Sequence, residues 1–268
     1  MFQITIFFLY IIAGISYALS RLPRFATSSA LLLPFAFVIA TAGLIWHAVV
    51  LFGSILTPAG MVLSIGNSAS IIGLQLALIA VLGATDPRLR GLAGGLLILG
   101  GIAAFFTATS RPGASSDITA WQLQAHILIS LFAYGLLSVG AIVAVFALVQ
   151  DARLRAGRIT AVNQLFAPLE TNERLLYGIA STGFSALLLG VLSGLTFVDN
   201  MFAQHLVHKT TLSILALVLF GVLLAGRHLA GWRGRRAVYL YLCGFGTLGL
   251  AYFGSRYVLE ALLQRSWG

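Results

Sequence analysis

Five histidines, His47, His126, His205, His208 and His228, are the side chains best suited to chemistry in this chain of 268 residues, which is 59% hydrophobic and 9% charged. Imidazole can offer a neutral nitrogen to a metal, or exchange a proton near neutral pH. Spacing gives three of the histidines a setting. Gln122, His126, Ser130 and Tyr134 recur every four residues, which lines them along one face of a helix. His205, His208 and Thr211 recur every three. Paired imidazoles suit the two axial positions of a haem iron. Lys209, Arg256 or Arg111 could then take the propionates through charge-assisted hydrogen bonds. A transition-metal carrier would use histidine together with carboxylates or thiolates. Cys243 is the one such group within an apolar run, with Asp199 and Glu260 near the rim. A proton-coupled carrier would want an acid inside the membrane, and none is present. No catalytic constellation stands out, so the expectation is a protein that is not an enzyme.

The elements that position these residues follow from composition. Soluble domains carry roughly 25% charged residues. A chain with so few charges cannot bury its apolar surface in a soluble core, whereas helices of about 20 apolar residues satisfy their own backbone in lipid. Apolar runs predict helices near 2–20, 29–56, 61–83, 90–109, 121–150, 175–198, 206–226 and 237–262. The first lacks a basic leader and a clean cleavage site, and is kept as a span. The expected fold is all-α: a polytopic integral membrane protein of eight transmembrane helices. We expect a single membrane domain over 1–268, with a four-helix part at 1–110 and a core at 120–262. One cysteine excludes a disulfide framework.

Orientation comes from the arginines. The loops after spans one, three, five and seven hold Arg21, Arg24, Arg88, Arg90, Arg153, Arg155, Arg158, Arg174, Arg227, Arg233, Arg235 and Arg236, which is 12 of the 16 basic residues. The positive-inside rule makes that side the cytoplasm. Both termini are therefore expected on the outer, periplasmic side of a bacterial inner membrane. The net charge of +9 reflects these loops rather than a nucleic-acid surface. Ile159, Val162, Leu165 and Phe166 suggest a short interfacial helix in the longest loop.

This topology gathers His47, beside Trp46, with His126, His205, His208, Lys209, Arg256 and Tyr257 toward the outer side. His126 lies about one turn in from Trp121. His228 alone is cytoplasmic, with arginines that suit headgroup contacts. The functional reading is a polar, histidine-lined pocket open to the outer leaflet. Each part also has a plain reading. His47 could bond a neighbouring helix, and His205 could be an ordinary loop residue. The span-three stripe Ser64, Asn67, Ser68 and Gln75 could join helices, as could the glycine pairs Gly94–Gly95 and Gly100–Gly101.

Two stretches resemble a known family. WQLQAHILISLFAYGLLSVGAIVAVFALVQ, at 121–150, is similar to the span of the cytochrome c assembly family (CcsA/ResC-like haem-handling proteins) that carries a histidine near the outer face. His126, Ala133, Tyr134 and Gly135 fit its pattern. HKTTLSILALVLFGVLLAGRHLAGWRGRRAVYLYLCGFGTLGLAYFG, at 208–254, resembles the closing pair of helices, including the GWRGRRA turn at Gly231–Ala237. The likeness covers roughly 120–260 and is nearest the smaller YpjD- and HemX-like branch. Among that family's haem ligands only His126 carries over; His208–Lys209 stand where a WDPKE-like end would be. The resemblance implies a haem-binding inner-membrane protein of cytochrome c maturation or haem trafficking, with haem b as cofactor. The expected iron ligands are His126 and His208, with His47 as the substitute. Lys209, Arg256, Tyr134 and Trp121 are expected around the ring. Expected partners are haem, the lipid bilayer, and another membrane protein or cytochrome c maturation component; nucleic acid is not expected. The alternatives are a small-solute or metal transporter and a non-catalytic membrane partner subunit.

Overall fold

A computed structural model describes residues 2–57, 60–62, 64–106, 117–118, 121–157, 163, 165–197 and 207–254. Among the described residues eight α-helices follow one another: α1 (Phe2–Leu19), α2 (Ser29–Ile55), α3 (Ile65–Gly83), α4 (Arg90–Phe105), α5 (Trp121–Arg155), α6 (Leu169–Phe197), α7 (Val207–Ala230) and α8 (Arg235–Gly249). Among the described residues, seven helical stretches are long and apolar enough to cross a membrane: those in α1 to α3 and α5 to α7, and Pro87–Phe105, which joins α4 to the 3-10 turn before it. α8 has 15 residues and passes into a π-helical turn, Leu250–Gly254. The rest of the eighth expected span lies outside the described residues. Exposed leucines, valines, isoleucines and phenylalanines cover the helices, as lipid-facing surfaces require.

Several boundaries differ from the sequence expectation. Residues expected to open the third helix instead form strand β2 (Gly60–Val62), between β1 (Leu56–Thr57) and β3 (Asp117–Ile118) in a small antiparallel sheet. Met61 pairs with both Leu56 and Ile118. α6 starts at Leu169 rather than 175, directly after Pro168. Its first turns carry Glu170, Glu173 and Arg174, so the helix outruns its apolar stretch. α7 continues to Ala230 through Arg227 and His228 for the same reason. The interfacial helix expected around 159–166 falls mainly outside the described residues.

Contacts group the chain into two compact units. Unit 1 comprises residues 1–55, 66–110 and 145–174, which take in α1, α2, nearly all of α3, α4, the last turns of α5 and the first turn of α6. α4 organises it through glycines. A side chain at Gly94 would meet the Gly14 carbonyl of α1 at 2.7 Å, and one at Gly100 would meet the Gly73 carbonyl of α3 at 2.9 Å. Such close backbone approach is how helices pack when lipid removes the hydrophobic drive between them. The connector before α6 is pinned by polar contacts. The Gln150 amide donates to the Ala167 carbonyl at 3.1 Å, Asn172 donates to Gln150 at 3.0 Å, and Arg153 Nε donates to Asn163 at 2.9 Å.

Unit 2 comprises residues 56–65, 111–144 and 175–268. α6 approaches α5 along small residues: a side chain at Gly190 would meet Ser130 Oγ at 3.2 Å, and one at Gly183 would overlap Leu137. Tyr241 of α8 reaches across to donate to the Leu137 carbonyl at 3.0 Å, with Phe220 of α7 stacked edge-on at 5.1 Å.

Candidate functional site

The starts of α5 and α7, the end of α6 and the π-helical turn after α8 all supply residues to one end of unit 2. His126 is the sixth residue of α5, half-buried, with Nδ1 3.0 Å from Ser193 Oγ of α6. Ser193 donates its own hydroxyl proton to the Gly190 carbonyl at 2.9 Å. With that proton on Gly190, Ser193 Oγ accepts from Nδ1 of His126, and in this tautomer Nε2 carries the lone pair. Among the described residues Nε2 has no hydrogen-bond partner. A histidine held by one nitrogen, with the other available, is the arrangement a ligating imidazole uses.

Lys209, the third residue of α7, lies close enough to His126 to act on it electrostatically. Its ammonium sits 5.1 Å from the centroid of the Tyr252 ring, in the π-helical turn. Tyr252 packs against Tyr134 at 5.5 Å between centroids. The buried Tyr134 hydroxyl donates to the Leu248 carbonyl at 3.1 Å. The stripe on α5 is thus a working face: Ser130 meets α6 at Gly190, and Tyr134 meets α8. The result is one imidazole with a free nitrogen and one cation beside an aromatic platform, all within unit 2.

The other expected site residues are placed as follows. Trp121 is 67% exposed in the first turn of α5. His208 is exposed, whereas its neighbour Lys209 is half-buried. His47 belongs to unit 1, not to this site. It is 1% exposed, with Nδ1 3.2 Å from Tyr10 Oη and Nε2 2.8 Å from Ser70 Oγ. Both its nitrogens are engaged, so the reading of His47 as a helix-joining residue fits the geometry. Arg256, Arg111 and His205 lie outside the described residues. Among the described residues no group of three or more His, Cys, Asp or Glu could hold a bare metal ion.

Two residues that complete the site escaped the sequence reading. Ser193 is one member of a stripe, Gly183, Ala186, Gly190 and Ser193, whose three- and four-residue spacing marks the α6 face toward α5. Tyr252 carried no such signal, because its position depends on the π-helical widening that ends α8.

A protein-family profile described as Cytochrome C assembly protein matches residues 29–263. The chain is 32% identical over 267 residues to the Inner membrane protein YpjD of Escherichia coli (strain K12), covering 92% of this chain and 98% of that one. It is 26% identical over 100 residues to the Cytochrome c biogenesis protein CcsA of Gloeobacter violaceus, covering 37% of this chain and 30% of that one. A CcsA of Picosynechococcus is 24% identical over 106 residues, 39% of this chain and 31% of that one. No solved structure matches.

Proposed function

The chain belongs to the cytochrome C assembly protein family, and on that premise we propose that it binds haem at the end of unit 2 marked by His126, as part of cytochrome c maturation or haem trafficking. It is a multi-pass inner-membrane protein, as its apolar helices and its likeness to YpjD support. It threads the bilayer eight times with both ends outside, which places His126 at the outer leaflet. The protein carries or presents haem and is not an enzyme.

Haem needs an axial nitrogen, cations for its propionates, and apolar or aromatic walls for its ring. The observation that carries the reading is the His126–Ser193–Gly190 relay, which leaves Nε2 as a lone-pair donor. Lys209 fits a propionate, and Tyr252 and Tyr134 fit the edge of a flat ring. His208, one residue before Lys209, is exposed here, so it would join His126 in holding haem only if the start of α7 turned to bring it to the ring. His47 is not a ligand, because its nitrogens are spent on Tyr10 and Ser70. Bound haem b would supply an iron held by imidazole; this chain's own residues fix its depth and orientation.

The test is the absorption spectrum of the detergent-solubilised protein from cells supplied with haem. A Soret band is expected. A monodisperse protein that takes up no haem would remove the reading and put the membrane-partner subunit in its place.

A further inference from the structure

The end of unit 2 away from His126 concentrates positive charge. Arg227, His228, Arg233, Arg235 and Arg236 fall within ten residues, and no Asp or Glu occurs between Asp199 and Glu260. The turn that displays them is firmly built. α7 stops at Ala230, and Gly231 and Gly234 take φ values of 62° and 61°, which glycine adopts without a steric penalty. The Trp232 carbonyl between them accepts from Tyr177 Oη at 2.5 Å and from Arg227 Nη1 at 3.4 Å. Trp232 N donates to the Gly226 carbonyl at 3.0 Å, and the indole occupies the space a side chain at Gly226 would need.

Aromatic rings set the guanidinium planes. Arg227 lies over Tyr177 at 4.6 Å and Arg236 over Trp232 at 5.3 Å. Arg235 lies over Tyr239 at 5.6 Å and donates to its hydroxyl at 2.8 Å. Arg233, Arg235 and Arg236 are exposed. So are two apolar neighbours, Leu229 at 87% and Tyr239 at 48%. α7 crosses the bilayer, so an exposed leucine next to exposed arginines marks the boundary between hydrocarbon and headgroups, where Trp and Tyr also settle. Guanidinium forks match phosphate oxygens in pairs. Free phosphate would use the arginines but not the apolar flank.

We propose that the α7–α8 turn is a binding site for the phosphate headgroup of an anionic phospholipid, held by Arg233, Arg235 and Arg236, with Leu229 and Tyr239 against its acyl chains. The site is separate from that around His126 and does not depend on haem. It also does not depend on which face of the membrane it occupies.

The test uses the full chain in detergent, titrated with phosphatidylglycerol or cardiolipin and read by native mass spectrometry. Phosphatidylcholine and inorganic phosphate serve as comparison ligands. Wild type should retain anionic lipid over phosphatidylcholine. Arg233→Gln, Arg235→Gln and Arg236→Gln should each weaken retention up to roughly fivefold, and the triple variant more. Lysine at the three positions should restore part of the affinity. A control triple variant, Arg24→Gln, Arg88→Gln and Arg155→Gln, removes three exposed charges from unit 1 and should change little. The single variants keep the test valid if the triple variant misfolds. Equal loss in the control, unchanged retention in all the turn variants, or complete displacement by millimolar phosphate at fixed ionic strength would each overturn the proposal.

Discussion

Replacing Ser193 with alanine probes the relay on which the His126 assignment rests. The substitution removes one oxygen that accepts from Nδ1 at 3.0 Å and is itself anchored to Gly190 at 2.9 Å. The net worth of one neutral hydrogen bond is about 1 kcal/mol, or roughly fivefold in affinity. Partners that orient a metal-bound imidazole are worth about 10–100-fold. The expected loss of haem affinity is therefore near the low end, about tenfold. Ser193→Thr keeps the hydroxyl and should stay within about twofold of wild type, well inside the worth of one hydrogen bond. The assay is haem titration of the solubilised apoprotein followed at the Soret maximum, with ligand-field bands compared between variants. Insertion and monodispersity should not change, because Ser193 is only half-buried. If Ser193→Ala bound haem as tightly as wild type with the same spectrum, the relay would have no part in ligation.

Other substitutions separate the site from the scaffold. Lys209→Ala should weaken haem retention through the loss of a propionate partner worth about 1.5–3 kcal/mol, while Lys209→Arg retains most of it; unchanged occupancy at low haem concentration would take Lys209 out of the site. His47→Ala should leave Tyr10 and Ser70 without their buried partner and lower stability by about 1–3 kcal/mol, measured as thermal aggregation in detergent, and the haem spectrum should not move; a lost Soret band would return His47 to the list of ligands. With Cys243 removed, cysteines at Ser115 and Ala203 should react with a membrane-impermeant thiol reagent in cells with a permeabilised outer membrane, and one at Gly157 should not. Labelling at Gly157 would invert the orientation inferred from the arginines.

The parts of this arrangement legible in the sequence are those encoded by period and charge. His126 sits in a four-residue polar stripe, and the stripe turns out to face α6 and α8 through Ser193, Ser130 and Tyr134. The glycines of α4 signalled close packing, and each of Gly94 and Gly100 meets a backbone carbonyl of another helix. Partner identity was not legible, because it depends on how far one helix is shifted along another. Nothing local to His47 names Tyr10 and Ser70, which lie 37 and 23 residues away. Nor does hydropathy show that α6 begins among Glu170, Glu173 and Arg174, since those turns satisfy their backbone as helix without being apolar. Which of the adjacent His208 and Lys209 would be the more buried was not legible either; the 100° step between helical neighbours leaves His208 exposed and Lys209 half-buried.

The central claim is that His126 Nε2 binds haem iron. The most direct measurement is the absorption spectrum of His126→Ala, purified from haem-supplied cells, with and without added imidazole. The account predicts a protein that inserts normally, has lost or shifted its Soret band, and regains part of the spectrum when imidazole fills the vacated position. A His126→Ala protein with the wild-type spectrum and merely lower stability would contradict it, and would make His126 a helix-joining residue bonded to Ser193.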